Sequence, residues 1–126
     1  MTVSHLGGTV ECKTIEELNF LMSVRYGTGV NEYWIPSEGF PCLAVLVNNE
    51  HANLTYFHDE EHSGLQSVGV DTKLDPKESS IFYTNTPTEE VVIRNEAVVP
   101  SETAQRAAIE YFSSLSLPTC IDWVEL

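Results

Sequence analysis

The stretch Phe57 to Gly64, F-H-D-E-E-H-S-G, holds two histidines four residues apart with three carboxylates between them. Spelled H-x-x-E-H, it matches a zinc-peptidase motif in which two imidazoles hold the metal and the glutamate activates its water. That chemistry needs a helix, because only there do positions i and i+4 project from one face toward a shared ion. Here L-T-Y-F runs directly into His58, Ser63-Gly64 follows His62 at once, and no helical apolar period flanks the segment. A third protein ligand is also required, and only His5 and His51 remain as histidines. The spacing therefore predicts a turn between two strands. That turn is either a plain solvated hairpin tip or a recognition loop presenting Asp59, Glu60 and Glu61 to a basic partner, with no metal and no cofactor. A small metal-dependent hydrolase built on His58, Glu61 and His62 is the third reading.

Other reactive patterns are sparse. There is no phosphate-cradling glycine-rich loop and no G-x-S-x-G elbow, and neither His nor Cys falls in a nucleophile–base signature. Glu89-Glu90 beside Pro87 resembles a carboxylate pair, but adjacent residues on a strand or turn point to opposite sides, so a solvated turn is expected. Asp122, Trp123 and Glu125 mix charge with an indole near the C-terminus, and there Trp123 should pack inward while its neighbours face water.

The charge balance is the larger signal. The chain has 126 residues, with 19 acidic side chains against six Lys plus Arg, a formal net charge of −13. Its apolar share of 42% is enough to close one core, which excludes a disordered chain. The resulting negative field repels nucleic acid and anionic membranes, because phosphate binding needs Lys and Arg, and so it favours a basic protein as partner. Solubility alone is the competing explanation. No secretion signal and no apolar run of about 18 residues is seen, so the chain reads as soluble and cytoplasmic. Cys12, Cys42 and Cys120 are odd in number and widely spaced, which favours buried reduced thiols over a disulfide framework.

These residues must be positioned by a β-rich middle bracketed by two helices. T-I-E-E offers a capping box at Thr14 and Glu17, followed by Ile15, Leu18, Leu21 and Met22 at helical spacing, with Gly27 placed as the stop. The second helix has Pro100-Ser101 as its lead-in and cap. Its stripe runs through Ala104, Ala107, Ala108, Tyr111, Phe112 and Leu115, and Pro118 is its expected end. Strands are expected at Glu32–Ile35, Cys42–Val47 (central, apolar on both faces), Leu54–Phe57, Ile81–Thr84, Val91–Ile93 and Ile121–Leu126, with an edge strand at Gly64–Val70. The reading is one α+β domain over residues 1–126, an antiparallel sheet packed with an N-terminal and a C-terminal helix.

The C-terminal third, VVPSETAQRAAIEYFSSLSLPTCIDWVEL, resembles the first of the named immunity-protein families of bacterial polymorphic toxin systems, a family that includes antidotes to nucleic-acid deaminase toxins. The resemblance rests on the small-residue helix with its aromatic pair Tyr111-Phe112, on Pro118, and on the apolar-x-Trp-x-Glu ending of Ile121, Trp123 and Glu125. It continues more loosely upstream through the early helix Thr14 to Tyr26, the strand Cys42 to Val47, and Tyr-Phe, acidic loop, G-x-x-S-x-G from Tyr56 to Gly69. The serine-rich S-S-L-S-L departs from the turn usual in that family. The resemblance implies a non-enzymatic inhibitor in interbacterial competition, including the type VI secretion kind. It would bind a basic, nucleic-acid-modifying toxin domain in the producing cell and cover its active site. Carboxylates at Asp59, Glu60, Glu61, Glu89 and Glu90, with His58 and anchors at Tyr33, Trp34 and Phe57, are the expected toxin-binding residues, a place in the core being the competing reading for each of the three aromatics. The alternative is an acidic nucleic-acid mimic or adaptor that binds some other basic protein.

Overall fold

The computed structural model describes residues 1–69 and 71–126. Eight strands of the described residues form one sheet, in which every pairing is antiparallel. They are β1 (Thr2–His5), β2 (Gly8–Glu11), β3 (Val30–Ile35), β4 (Cys42–Asn48), β5 (His51–Phe57), β6 (Leu65–Ser67), β9 (Val99–Pro100) and β10 (Trp123–Glu125). The spatial order is β10-β6-β5-β4-β3-β1-β2, and β9 adds to the start of β5. A separate two-stranded hairpin is formed by β7 (Ser79–Tyr83) and β8 (Glu90–Arg94). The α-helices of the described residues are α1 (Ile15–Leu21) and α2 (Ser101–Ser114). The α+β class with one N-terminal and one C-terminal helix agrees with the sequence reading.

The period-2 pattern of the central strands sorts their side chains onto two faces. On β4, Leu43, Val45 and Val47 are buried against Tyr33 and Ile35 of β3, Leu54 and Tyr56 of β5, and the helices. Each such aliphatic side chain contributes about 1.5–3 kcal/mol on burial. Ala104, Ala107 and Ala108 bring α2 close onto this front face, where Tyr111 meets Tyr56 edge-on at 6.1 Å and donates to the Pro41 carbonyl at 2.6 Å. The opposite, back face carries Trp34, Ala44, Leu46, Asn53, Thr55 and Phe57 by the same register.

Half of that back face is covered by the β7–β8 hairpin. Asn48 Nδ2 donates to the Ile81 carbonyl at 2.9 Å, and the buried Glu32 carboxylate accepts from Thr84 Oγ1 at 2.7 Å and from the Asn85 backbone at 3.0 Å. Phe82 is fully buried beneath the hairpin.

Several expectations are corrected. Thr2–His5 and Gly8–Glu11 pair as the β1–β2 hairpin, which the sequence reading leaves unassigned. Thr14 caps α1 by accepting from the Glu17 N–H at 3.2 Å, but the helix stops at Leu21, well before Gly27. The early stop follows from hydrogen bonding: the Tyr33 hydroxyl and Arg25 Nη1 reach the Leu21 and Met22 carbonyls that the helix end frees. Pro100 occupies the N-cap of α2 without a side-chain cap, and α2 ends at Leu115 in the left-handed region (φ 56°) rather than at Pro118. Leu115 itself is exposed, outside the buried stripe. The predicted edge strand at Gly64–Val70 is shorter and interior, β6 lying between β5 and β10; Val70 falls outside the described residues. Cys12 and Cys42 are buried free thiols, whereas Cys120 is exposed.

Candidate functional site

The acidic loop follows β5 directly. Asp59 Oδ1 accepts from the Glu61 N–H at 2.9 Å, and the His62 N–H approaches the Asp59 carbonyl at 3.3 Å, so the segment closes as a turn. His58, Asp59, Glu60 and Glu61 are exposed. His62 is turned the other way. Its Nδ1 accepts from the Gly64 N–H at 2.9 Å, and its Nε2 lies 3.8 Å from Glu125 Oε1 on β10. The two imidazoles of the H-x-x-E-H spelling are thus in different environments, and the motif is not helical. Among the described residues, no three His, Cys, Asp or Glu side chains converge on a point that would hold a metal.

The three aromatic candidates separate by strand alternation. Trp34 and Phe57 lie on the back face and stack with ring centroids 6.0 Å apart and planes 17° from parallel. They sit on β3 and β5, two strand spacings or about 10 Å apart. On β4 between them, Ala44 is the register partner of Trp34 and Cys42 that of Phe57, so the rings meet on a diagonal across two small side chains. Trp34 is 37% exposed and Phe57 half-buried. Tyr33, one residue away, faces the core and is fully buried, which removes it from any contact surface.

Tyr33 has a structural role instead. Its hydroxyl lies 2.9 Å from the carbonyls of both Leu21 and Val24, and it accepts from Arg25 Nη1 at 3.2 Å and Asn31 Nδ2 at 3.1 Å. Arg25 Nη1 also donates to the Met22 carbonyl at 2.7 Å. This network satisfies the C-terminal end of α1, where helix carbonyls lose their own partners. Desolvation pushes the Tyr33 phenol up to about 12, so it stays a neutral donor. His5 stacks on Tyr33 and on Tyr26 at the edge of the network. Burial holds the His5 pKa below 6.5, with a smaller opposing contribution from the Asn31 side chain. The unfolded chain therefore takes up this proton first, so the His5 contribution to stability is present above pH 6.5 and is lost as pH falls toward the folded value. In thermal unfolding, the gap in midpoint between wild type and His5→Gln should narrow or change sign between pH 7.5 and 5.5.

Glu89 and Glu90 lie at the tip of the β7–β8 hairpin, where Glu89 accepts from Asn85 Nδ2 at 2.8 Å and Glu90 pairs in register with Tyr83. That tip is anchored at Glu32, in register with Asn53 through Leu46, whereas the acidic loop leaves β5 after Phe57. Four residues of strand, roughly 13 Å, separate the two levels. Trp34 and Phe57 therefore stack at the end of the back face from which the Asp59–Glu61 loop departs, with Trp34 two residues, roughly 7 Å, from Glu32, and Glu89 and Glu90 lie on the hairpin tip held at that anchor.

The sequence reading missed a groove of about 660 Å³ beside Trp34, lined by Met1, Thr2, Ser4, Thr9, Ser37 and Glu38. Ser4 is the cross-strand neighbour of Trp34. The Met1 ammonium at its rim is paired with Glu11 at 2.9 Å, which with the Thr2 hydroxyl holds the Glu11 carboxyl below its ordinary pKa. The signal that marks this region in the sequence is an absence of cations. Between Arg25 and Lys73 the chain has no Lys or Arg, while Glu38 and Asp59 to Glu61 fall within that span.

No helix of the described residues is long and apolar enough to cross a membrane. No curated protein matches the chain. A family model described as Immunity protein Imm1 matches residues 13–125.

Proposed function

The chain belongs to the Imm1 immunity-protein family, and from that membership we propose that it neutralises a cognate antibacterial toxin by stoichiometric binding, without turnover. Immunity proteins of this kind are generally non-enzymatic and are paired with a toxin. Beyond the family, we propose that the target is a basic, nucleic-acid-modifying domain, a deaminase being the favoured class, and that the complex forms in the cytoplasm of the producing cell. The net charge of −13 carries this reading. An enzyme that acts on DNA or RNA presents a positive groove to phosphates, and a deaminase adds a pocket for an extruded base. Carboxylates on a rigid sheet can occupy such a groove in place of phosphates and cover the active site, while opposite fields speed the encounter.

The test is co-expression with the toxic C-terminal domain encoded by the neighbouring gene, scored by survival and by co-purification. Protection with one-to-one co-purification supports the reading. Survival unchanged by the protein would remove it in favour of an acidic adaptor for some other basic protein. Within a binding pair, reversing Asp59, Glu60 and Glu61 together to lysine should slow association about tenfold at low salt, and the gap should shrink as salt screens the field. Equal association rates at low salt would take the acidic loop out of the interface.

A further inference from the structure

We propose that the uncovered half of the sheet's back face receives an arginine-bearing segment of the toxin, with the guanidinium over the Trp34 indole and the flanking chain in the groove beside Ser4. This rests on the toxin-binding reading above and assigns its contact face and the chemistry of its occupant.

Coverage of the sheet leaves this face bare. The hairpin is fastened across Asn48 and Glu32, so it shields the far half and stops short of Trp34, Ala44 and Phe57. More than a third of Trp34 is left in solvent, although its neighbour Tyr33 has none. Phe57 stacks on Trp34 and fixes its ring plane, so the platform is already ordered before a partner arrives. Gly64 locks the other side. A Cβ there would lie 3.1 Å from the Phe57 ring and 2.9 Å from Thr55 Cγ2, so the loop backbone is packed directly against the stack.

The polar lining selects the occupant. Next to Trp34 the groove offers the hydroxyls of Thr2, Ser4, Thr9 and Ser37 and the carboxylate of Glu38. The loops at this end of the sheet add Asp59, Glu60 and Glu61. Strands β3 to β6 and their connecting loops contribute no Lys or Arg, and the terminal ammonium is already held by Glu11. The one cation among the groove's lining residues that a phosphate would meet is that already neutralised ammonium. A second copy of the chain would bring another net charge of −13 against this one. A planar cation meets an aromatic plane, hydroxyl acceptors and carboxylates, which is the combination that favours arginine over lysine.

The experiment measures binding of a catalytically inactive form of the neighbouring gene's toxin domain to wild type, Trp34→Ala, Trp34→Phe, Ser4→Arg and Phe20→Ala. Phe20 is 74% exposed on α1, beside a separate groove that is apolar and lined by Val10, Leu21, Val24 and Tyr26, remote from the back face. The expected result is about a 30-fold or greater loss of affinity for Trp34→Ala and for Ser4→Arg, a smaller loss for Trp34→Phe, and no more than twofold for Phe20→Ala. Thermal midpoints close to wild type for both Trp34 variants separate this loss from unfolding. If wild type binds and Trp34→Ala and Ser4→Arg bind equally well, the contact face is refuted while the toxin reading stands. A large loss confined to Phe20→Ala likewise refutes it and moves the interface to α1. If wild type shows neither binding nor protection, both fall together.

Discussion

Replacing Tyr33 by alanine is expected to lower the unfolding free energy by about 3–5 kcal/mol, the cost of deleting a large buried aromatic. The ring fills the space between β3 and the end of α1, and the hydroxyl serves the Leu21 and Val24 carbonyls while accepting from Arg25 and Asn31. Tyr33→Phe separates the two roles. It keeps the packing and removes one hydroxyl from a buried network, which costs about 1–3 kcal/mol. Denaturant unfolding gives both values. In the same assay Trp34→Ala should lose far less, because its ring is half-supported by Phe57 and opens to water. Equal losses at positions 33 and 34 would contradict the assignment of one side chain to the core and its neighbour to the surface.

That pair also shows what the sequence could and could not disclose. On the sequence Tyr33 and Trp34 group as anchors because both are aromatic and both are expected near the acidic loop. Strand alternation alone forbids adjacent residues from sharing a face, and β3 follows that rule. The helices and central strands were legible because their patterns are local: the Thr14 cap, the alanine stripe, C-L-A-V-L-V. The end of α1 was not, because it is set by Tyr33 from a different element rather than by Gly27. The N-terminal hairpin carried only a weak signal, four residues on each side of Leu6-Gly7. The non-helical turn at His58–His62 is legible from its flanks, where a strand runs straight into His58 and Ser63-Gly64 follows His62. Which carboxylates gather near Trp34 and which lie at the hairpin tip depends on how β7–β8 folds back over the sheet. No spacing in the chain encodes that separation.

Gly69→Ala should be among the most damaging small substitutions, at about 3 kcal/mol, the upper end of the usual cost of overpacking. A Cβ at this position would stand 2.8 Å from the Asn95 carbonyl oxygen and 2.9 Å from those of Glu96 and Val98. All three contacts are backbone, so no flexible side chain can yield. The Gly69 N–H also donates to the Glu96 carbonyl at 2.6 Å, and that bond must lengthen to admit a methyl group. The consequence spreads along G-x-x-S-x-G. Ser67 Oγ donates to the Ala97 carbonyl at 2.8 Å, Asn53 Nδ2 reaches the same oxygen at 3.0 Å, and the Leu54 N–H donates to Ser67 Oγ at 3.1 Å. These bonds tie the 3-10 turn Asn95–Ala97 to the sheet, and that turn is the continuation of β8. Displacing it should loosen the β7–β8 hairpin. Amide exchange should therefore accelerate across Ser79–Arg94 more than across Cys42–Asn48, with a thermal midpoint lower by roughly 10 °C. Unchanged exchange in the hairpin would mean that Gly69 closes only its own turn.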